Sequence, residues 1–151
     1  MSDVERRALS DRRRVPRGGR RDYDRPGAYP TILVADAYEG ARNPVVRYLQ
    51  RFHFDVLEAS DGEEALQKIV SAAPQVILTE WSLPSMPARR LCQWLDQSWR
   101  TRSVPVIVMI GNYEPGEGMP PVGGILIKPF PLGSMLDEVR RVIRTQQQHA
   151  A

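Results

Sequence analysis

Apolar residues along this chain occur in two patterns, short continuous runs and stretches with helical spacing. The first continuous run, TILVADA, starts at Thr31 and ends near Asp36, which is typical of a strand covered on both faces. The segments DVLEA, QVILTE, VPVIVMI and ILIKPF predict four further strands. The pattern therefore predicts five short strands, most of them buried.

Four stretches that follow strands have apolar residues at the spacing of an amphipathic helix. We expect the first helix to begin with Asn43 as N-cap and Pro44 as its first residue, and to run for about ten residues. The second, SDGEEALQKIVSAA, has a capping residue at Ser60 or Asp61. The third and fourth are ARRLCQWLDQ and LGSMLDEVRRVIRTQ. The predicted inward-facing residues are Val45, Tyr48, Leu49 and Phe52 in the first helix, and Ala65, Leu66, Ile69 and Val70 in the second.

The segment after the fourth strand interrupts this alternation. GNYEPGEGMPPVGG, residues 111–124, contains three prolines and five glycines and has no helical spacing. Strands that alternate with helices elsewhere predict a parallel sheet with right-handed crossovers and helices on both faces. One helix of such an arrangement is therefore replaced by a loop, and the apolar surface that it leaves predicts an interaction surface.

The first 29 residues differ from the rest in composition. They carry nine arginines and five acidic residues, a net charge of +4, whereas residues 30–151 carry a net charge of −1. Large aliphatic residues are nearly absent, so this segment cannot bury enough surface to offset the entropy of ordering it. We divide the chain into a disordered arginine-rich arm (1–29), one domain (30–146) and a frayed tail (147–151).

The arm has the guanidinium density that is typical of phosphate recognition. It favours binding of a nucleic-acid backbone or of a phosphorylated ligand such as a cyclic dinucleotide, and a solubilising tail is the alternative. Interleaved acids weigh against nucleic acid, since they repel phosphate. The candidate arginines are Arg12, Arg13, Arg14, Arg17, Arg20 and Arg21.

Cysteine use and hydropathy suggest the compartment. A single cysteine, Cys92, excludes an internal disulfide framework and fits a reducing environment, where we expect it to be a small core residue. No apolar run reaches eighteen residues, and the N-terminal arginines are not followed by an apolar segment. We expect a cytoplasmic protein without membrane association.

Polar residues stand at the ends of three predicted strands. Asp36 follows the first strand, Glu80 ends the third and Lys128 ends the fifth. The carboxyl ends of parallel strands meet at one edge of the sheet, where α/β proteins bind ligands. We therefore expect these three side chains to share a crevice, with Trp81 covering it or contacting a partner.

Several segments in fixed order connect these residues to a known family. ILVAD, ASDGEEAL, WSLPSM, VPVIV and IKPF, with their spacing, resemble the receiver domain of bacterial two-component response regulators over residues 31 to about 145. The resemblance implies an α/β, flavodoxin-like, doubly wound sheet of five parallel strands in the order 2-1-3-4-5, here with the fourth helix replaced by the Pro/Gly-rich loop. It also implies a function in which an aspartate accepts a phosphoryl group and the domain changes shape in response.

The chain departs from the pattern of that family at most of the positions that carry its chemistry. The resemblance implies two adjacent acids after the first strand, an acceptor aspartate after the third, a hydroxyl residue after the fourth, and an aromatic residue before a lysine in the fifth. Asp36 and Lys128 match the first acid and the lysine. The other positions are occupied by Ala37, Glu80, Ile110 and Ile125, in that order.

These departures predict impaired phosphorylation. Mg²⁺ requires near-octahedral oxygen ligands, and Ala37 removes one carboxylate. The carboxylate of Glu80 lies about 1.5 Å farther along its side chain than that of an aspartate, a displacement to which in-line attack is sensitive. Without a hydroxyl at Ile110, a phosphoryl group has no contact through which to shift the conformation. We expect no catalytic residues, no metal site, weak or absent Mg²⁺ binding and no enzymatic activity.

The retained residues have structural interpretations. Glu80 is expected to pair with Lys128 and hold one conformation fixed. Asp36 either holds a weak cation, caps the loop that follows or pairs with Lys128.

The favoured function is a pseudo-receiver that acts through phosphorylation-independent protein–protein interaction in a two-component or phosphorelay pathway. Its partner surface, for another protein or for self-association, is expected around residues 111–146. Two alternatives remain: a binder of phosphorylated ligands or nucleic acid through the arm, and a regulator that is still weakly phosphorylated.

Overall fold

The computed structural model describes residues 29–111 and 118–150. The interpretations of residues 1–28 as an arm and of residues 112–117 as part of a Pro/Gly-rich loop lie outside the described residues. Within the described ranges, no helix is both long enough and apolar enough to cross a membrane.

Five parallel strands form a single sheet in the predicted order 2-1-3-4-5. They are β1 (Thr31–Ala35), β2 (Asp55–Ala59), β3 (Val76–Glu80), β4 (Val106–Ile110) and β5 (Gly124–Ile127). The register places Glu80 opposite Met109 and Ile110 opposite Ile127, so the strands end near one another. The predicted doubly wound, flavodoxin-like fold is confirmed.

In the part of the chain that the structure describes, four helices cover the sheet: α1 (Glu39–Arg51), α2 (Gly62–Ala72), α3 (Ala88–Asp96) and α4 (Leu132–Ala150). Residues 111 and 118–123, the described part of the connection from β4 to β5, contain no helix. The final helix is therefore α4, and it continues to Ala150, beyond residue 146 where the sequence pattern ends the domain.

The predicted start of the first helix is wrong. Helix α1 begins at Glu39 with Tyr38 as N-cap, and Pro44 lies inside the helix. The Tyr38 amide donates to Asp36 Oδ1 (2.9 Å), and the Tyr38 carbonyl accepts from the amides of Ala41 and Arg42. Because these bonds start the helix directly after β1, Pro44 falls in the second turn, where it cannot donate a hydrogen bond to the Gly40 carbonyl.

Each face of the sheet has its own core. The first core lies between the sheet and helices α1 and α4, and the second lies between the sheet and helices α2 and α3. Asp61 caps α2, since its side chain accepts from the Glu64 amide (2.8 Å). Cys92 is buried in the second core, as predicted. The prediction that Val70 faces inward is wrong, since Val70 is 68% exposed. The buried side of α2 is centred on Ala65 and Ile69.

Candidate functional site

Three polar side chains meet at the carboxyl edge of the sheet. Asp36 follows β1, Glu80 ends β3 and Lys128 follows β5. Lys128 Nζ lies 2.8 Å from Asp36 Oδ2 and 3.8 Å from Glu80 Oε1. The Lys128 amide donates to the Ile110 carbonyl (2.8 Å), and the peptide bond between Lys128 and Pro129 is cis. The structure therefore brings together the three residues that the sequence placed at strand ends.

Asp36 is the most enclosed charge of this crevice, with 1% of its surface exposed. Its Oδ2 accepts a hydrogen bond from Lys128, and its Oδ1 accepts one from the Tyr38 amide. The Asp36 carbonyl accepts a further bond from Arg42 Nη1 (2.7 Å). A buried carboxylate requires such partners, because leaving it unpaired away from water costs several kcal/mol. Asp36 therefore joins β1, the start of α1 and the end of β5.

Glu80 occupies a looser position, with 26% of its side chain exposed. Its Oε2 accepts a bond from the Ala37 amide (3.3 Å), so the side chain turns toward the loop after β1. The 3.8 Å separation from Lys128 is longer than a hydrogen bond. Lys128 is thus paired mainly with Asp36, and the predicted pairing of Glu80 with Lys128 takes the form of a weaker electrostatic contact.

Two of the substituted positions, Ala37 and Ile110, add no polar side chain to this crevice. Ala37 is exposed, whereas Ile110 is 2% exposed and belongs to the second core. Trp81 is half-buried, with its ring packed against the second core and its amide donating to the Met109 carbonyl (2.9 Å). No side-chain hydroxyl is therefore supplied to the crevice by position 110.

The residues present do not fit a magnesium site. Ala37 has no side-chain oxygen, both oxygens of Asp36 accept hydrogen bonds, and Oε2 of Glu80 accepts one from the Ala37 amide. Mg²⁺ is held by carboxylates in near-octahedral geometry, and here the Lys128 ammonium lies 2.8 Å from Asp36, the more buried of the two carboxylates that remain. Among the described residues, no three His, Cys, Asp or Glu side chains group as metal ligands.

An apolar cavity of about 350 Å³ lies beside the ion pair. Asp36 and Lys128 form its polar wall, and the loop between β5 and α4 contributes Pro129 and Phe130. Sequence reasoning missed this cavity, since its apolar walls come from α1, β4 and that loop, which are far apart in the chain. Only the segment KPF, residues 128–130, indicated part of the wall of this cavity.

Strand β5 exposes two large apolar side chains. Ile125 is 47% exposed and Ile127 is 65% exposed, whereas Leu126 between them is buried in the first core. Alternation along the strand places both isoleucines on the opposite face of the sheet, the face that carries α2 and α3. In the described residues, no helix between β4 and β5 covers them there. This face lies within the range 111–146 that the sequence predicts as an interaction surface.

Burial and hydrogen bonds shift the pKa values of Cys92, Glu64 and Glu138. Burial, together with the charge of Asp96, raises the pKa of Cys92 to about 11. A hydrogen bond from Lys68 lowers the pKa of Glu64, and one from Arg141 lowers the pKa of Glu138. The second effect comes from a tight pair, with Arg141 Nη2 at 2.8 Å from Glu138 Oε2.

Comparison with known proteins gives one family. The family model of the response regulator receiver domain matches residues 32–140. The DNA-binding dual master transcriptional regulator RpaA of Synechocystis is 28% identical over 124 residues, which cover 76% of this chain and 49% of that protein. Chemotaxis protein CheY1 of Helicobacter pylori is 27% identical over 120 residues, which cover 76% of this chain and 97% of that protein. The chain thus spans about half of the transcriptional regulator and nearly all of CheY1.

Solved structures show the same fold. Chemotaxis response regulator CheY4 of Vibrio cholerae superposes with a TM-score of 0.68 at 24% identity, over 76% of this chain and 98% of the other. The signal receiver domain of an HD domain-containing protein from Pseudomonas fluorescens gives a TM-score of 0.71 at 22% identity, over 80% and 98%.

Proposed function

Because this chain belongs to the response regulator receiver domain family, we propose that it is a pseudo-receiver, a degenerate form that signals without a phosphorylation cycle. It acts by protein–protein interaction in a two-component or phosphorelay pathway. In this proposal it is not an enzyme, and it needs no cofactor.

The presence of Ala37, Glu80 and Ile110 at positions where the family pattern has two acids and a hydroxyl residue carries this proposal, and the ion pair between Asp36 and Lys128 adds to it. A phosphoryl group entering the crevice would need Lys128 as a counter-charge, but that ammonium lies 2.8 Å from a buried carboxylate. Freeing it would leave Asp36 buried without its cationic partner, a change that costs several kcal/mol. The oxygen set that does not fit Mg²⁺ adds a second obstacle, since transferring phosphoryl groups depend on positioned cations.

Ile110 supports the absence of a phosphorylation response. Its side chain is 2% exposed and packs in the second core. A ligand shifts a conformational equilibrium only through interactions that differ between the two states. An aliphatic side chain at this position gives an incoming phosphoryl oxygen no hydrogen bond, so it supplies no such difference.

A phosphoryl-mimic titration tests this part of the proposal. We expect beryllofluoride with Mg²⁺ to leave the tryptophan fluorescence of the full chain unchanged, with half-buried Trp81 as the reporter beside Glu80. The variant Ala37→Asp/Glu80→Asp restores two carboxylate positions and is the matched positive control, expected to give a saturable change. A saturable change in the unmodified chain that disappears in Glu80→Gln would contradict the proposal, as would an acyl phosphate detected by intact mass.

The exposed apolar face of β5 supports the interaction part. Ile125 and Ile127 lie on an edge strand, and exposed aliphatic side chains there favour association with another chain. The proposed partner surface is this edge, used for another protein or for a second copy.

Replacing these two side chains tests the surface. We expect Ile125→Ser/Ile127→Ser to abolish self-association in sedimentation, or capture of a protein partner, whichever the unmodified chain shows. Val70→Ser is the control, because Val70 is equally exposed but lies on α2. Equal loss in both variants, or no loss in the double variant, would remove β5 from the proposal.

A further inference from the structure

Helices α1 and α4 lie side by side on one face of the sheet and pack on the same core. Each presents two exposed arginines one turn apart. We call the surface that they border the basic groove; it consists of Arg47, Arg51, Arg140 and Arg144.

Two contacts show where the helices meet. The Tyr48 hydroxyl of α1 lies 3.7 Å from the position that a β-carbon at Gly133 would take, and the Arg140 guanidinium lies over the Phe52 ring, 5.5 Å from its centroid. Arg47 and Arg51 directly precede Tyr48 and Phe52, so helical geometry turns them toward the solvent side of this contact line. Arg144 follows Arg140 by one turn on the same side of α4.

The charge of the basic groove is not compensated within the described residues. None of its four arginines has a carboxylate within ion-pair distance there. Other arginines of the same helices do have partners: Arg42 pairs with Glu58 and Arg141 pairs with Glu138. Four uncompensated cations within two turns of two neighbouring helices create a positive potential that attracts polyanions.

We propose that the basic groove binds the phosphodiester backbone of a nucleic acid. Guanidinium groups match phosphate oxygens with paired hydrogen bonds. Within each helix the two arginines are about 6 Å apart along the axis, so that each row meets successive charges of a linear polyanion. A long chain of phosphates can engage the arginines of both helices, which a single phosphate group cannot. This site is separate from the crevice of Asp36 and Lys128 and does not depend on it.

The salt dependence of binding tests the proposal. The full chain is titrated with a labelled single-stranded oligonucleotide of mixed sequence, with RNA, DNA and duplex DNA in separate arms. Each phosphate contact with a single strand contributes about −0.7 to the slope of log K against log salt concentration. Removing two contacts should reduce the magnitude of the slope by about 1.4 and weaken binding about 25-fold at 0.1 M salt.

The decisive comparison is between two variants of equal charge. Arg51→Gln/Arg144→Gln removes two charges from the basic groove, and Arg89→Gln/Arg90→Gln removes two exposed charges from α3. Unfolding midpoints of both variants are measured, so that a loss of binding is compared between equally folded proteins. We expect the slope and affinity to change in the first variant only.

Three outcomes would overturn the proposal. The first is absence of nucleic-acid binding at 0.1 M salt, and the second is an equal loss in the two variants, which would assign binding to net charge alone. The third is competition by polyglutamate as effective as that by the oligonucleotide, which would assign the basic groove to acidic proteins instead.

Discussion

Removing the ammonium group of Lys128 should destabilise the domain, because Asp36 then stays buried without its cation. In the variant Lys128→Met the aliphatic part of the side chain is largely retained. The substitution removes the 2.8 Å hydrogen bond to Asp36 and the 3.8 Å electrostatic interaction with Glu80.

The magnitude follows from the burial of the two partners. Breaking a buried ion pair by removing one partner costs about 3–5 kcal/mol. Asp36 is 1% exposed, but 26% of the Lys128 side chain reaches solvent, and Asp36 keeps the hydrogen bond from the Tyr38 amide. These two features place the expected loss at the low end, about 3 kcal/mol. At about 4 °C per kcal/mol for a domain of this size, the melting temperature should fall by about 12 °C.

A double-mutant cycle separates the ion pair from other effects of the substitution. Urea unfolding is measured for Lys128→Met, Asp36→Asn and the double variant, and we expect a coupling free energy of about 2 kcal/mol. The matched reference is the cycle for Glu64 and Lys68, a 3.1 Å pair with more than a third of each side chain exposed. Its coupling should be about 0.5 kcal/mol or less.

Equal coupling in the two cycles would refute the reasoning. It would mean that water screens Asp36 and Lys128 as effectively as it screens a surface pair, so that Lys128 is available to a phosphoryl group. One support for the pseudo-receiver proposal would then be lost.

Three further changes test other parts of the structure. Gly62→Ala should lower the free energy of unfolding in urea by about 1–3 kcal/mol, because a β-carbon there would overlap the loop after β3. Gly133→Ala should raise it by about 0.5–1 kcal/mol, because the atom nearest to the added β-carbon, the Tyr48 hydroxyl, is 3.7 Å away. A loss of stability in both variants would contradict this packing. With its pKa raised from 9.0 to about 11, Cys92 should react with a thiol reagent at pH 8 about 100-fold more slowly in the folded protein than in urea, and equal rates would contradict its burial. A hydrogen bond from Arg141 lowers the pKa of Glu138, so Glu138→Gln should lower the free energy of unfolding by up to about 1 kcal/mol at pH 7. This loss should become smaller as the pH falls through the lowered pKa, and a loss independent of pH down to 2 would refute the expectation.

Different parts of the fold have different tasks in these proposals. The crevice of Asp36, Glu80 and Lys128 is proposed to hold one conformation, while exposed residues of β5 and the α1–α4 face supply binding surfaces. Each surface can be altered by exposed substitutions that leave the ion pair intact, so the tests are independent.

Much of the fold could be predicted from local pattern. The five strands and their parallel order follow from runs of apolar residues and from a resemblance spread over most of the chain. Errors came where one local rule competed with tertiary contacts. Pro44 is a favoured first residue of a helix, but the bond from Tyr38 to Asp36 started α1 earlier. Val70 fits helical spacing but falls beyond the edge of the buried stripe.

The sequence by itself determined which chemical groups stand at the strand ends, because strand order and direction bring Asp36, Glu80 and Lys128 to one edge. Only the tertiary structure decided how they pair: Lys128 lies 2.8 Å from Asp36 and 3.8 Å from Glu80, where the sequence pattern favoured Glu80. It also decided that α1 and α4 pack side by side, which brings Arg140 over the Phe52 ring, 88 positions away in the chain. The physical reason is that pairing distances and shared surfaces depend on how helices and strands pack, which no local pattern encodes.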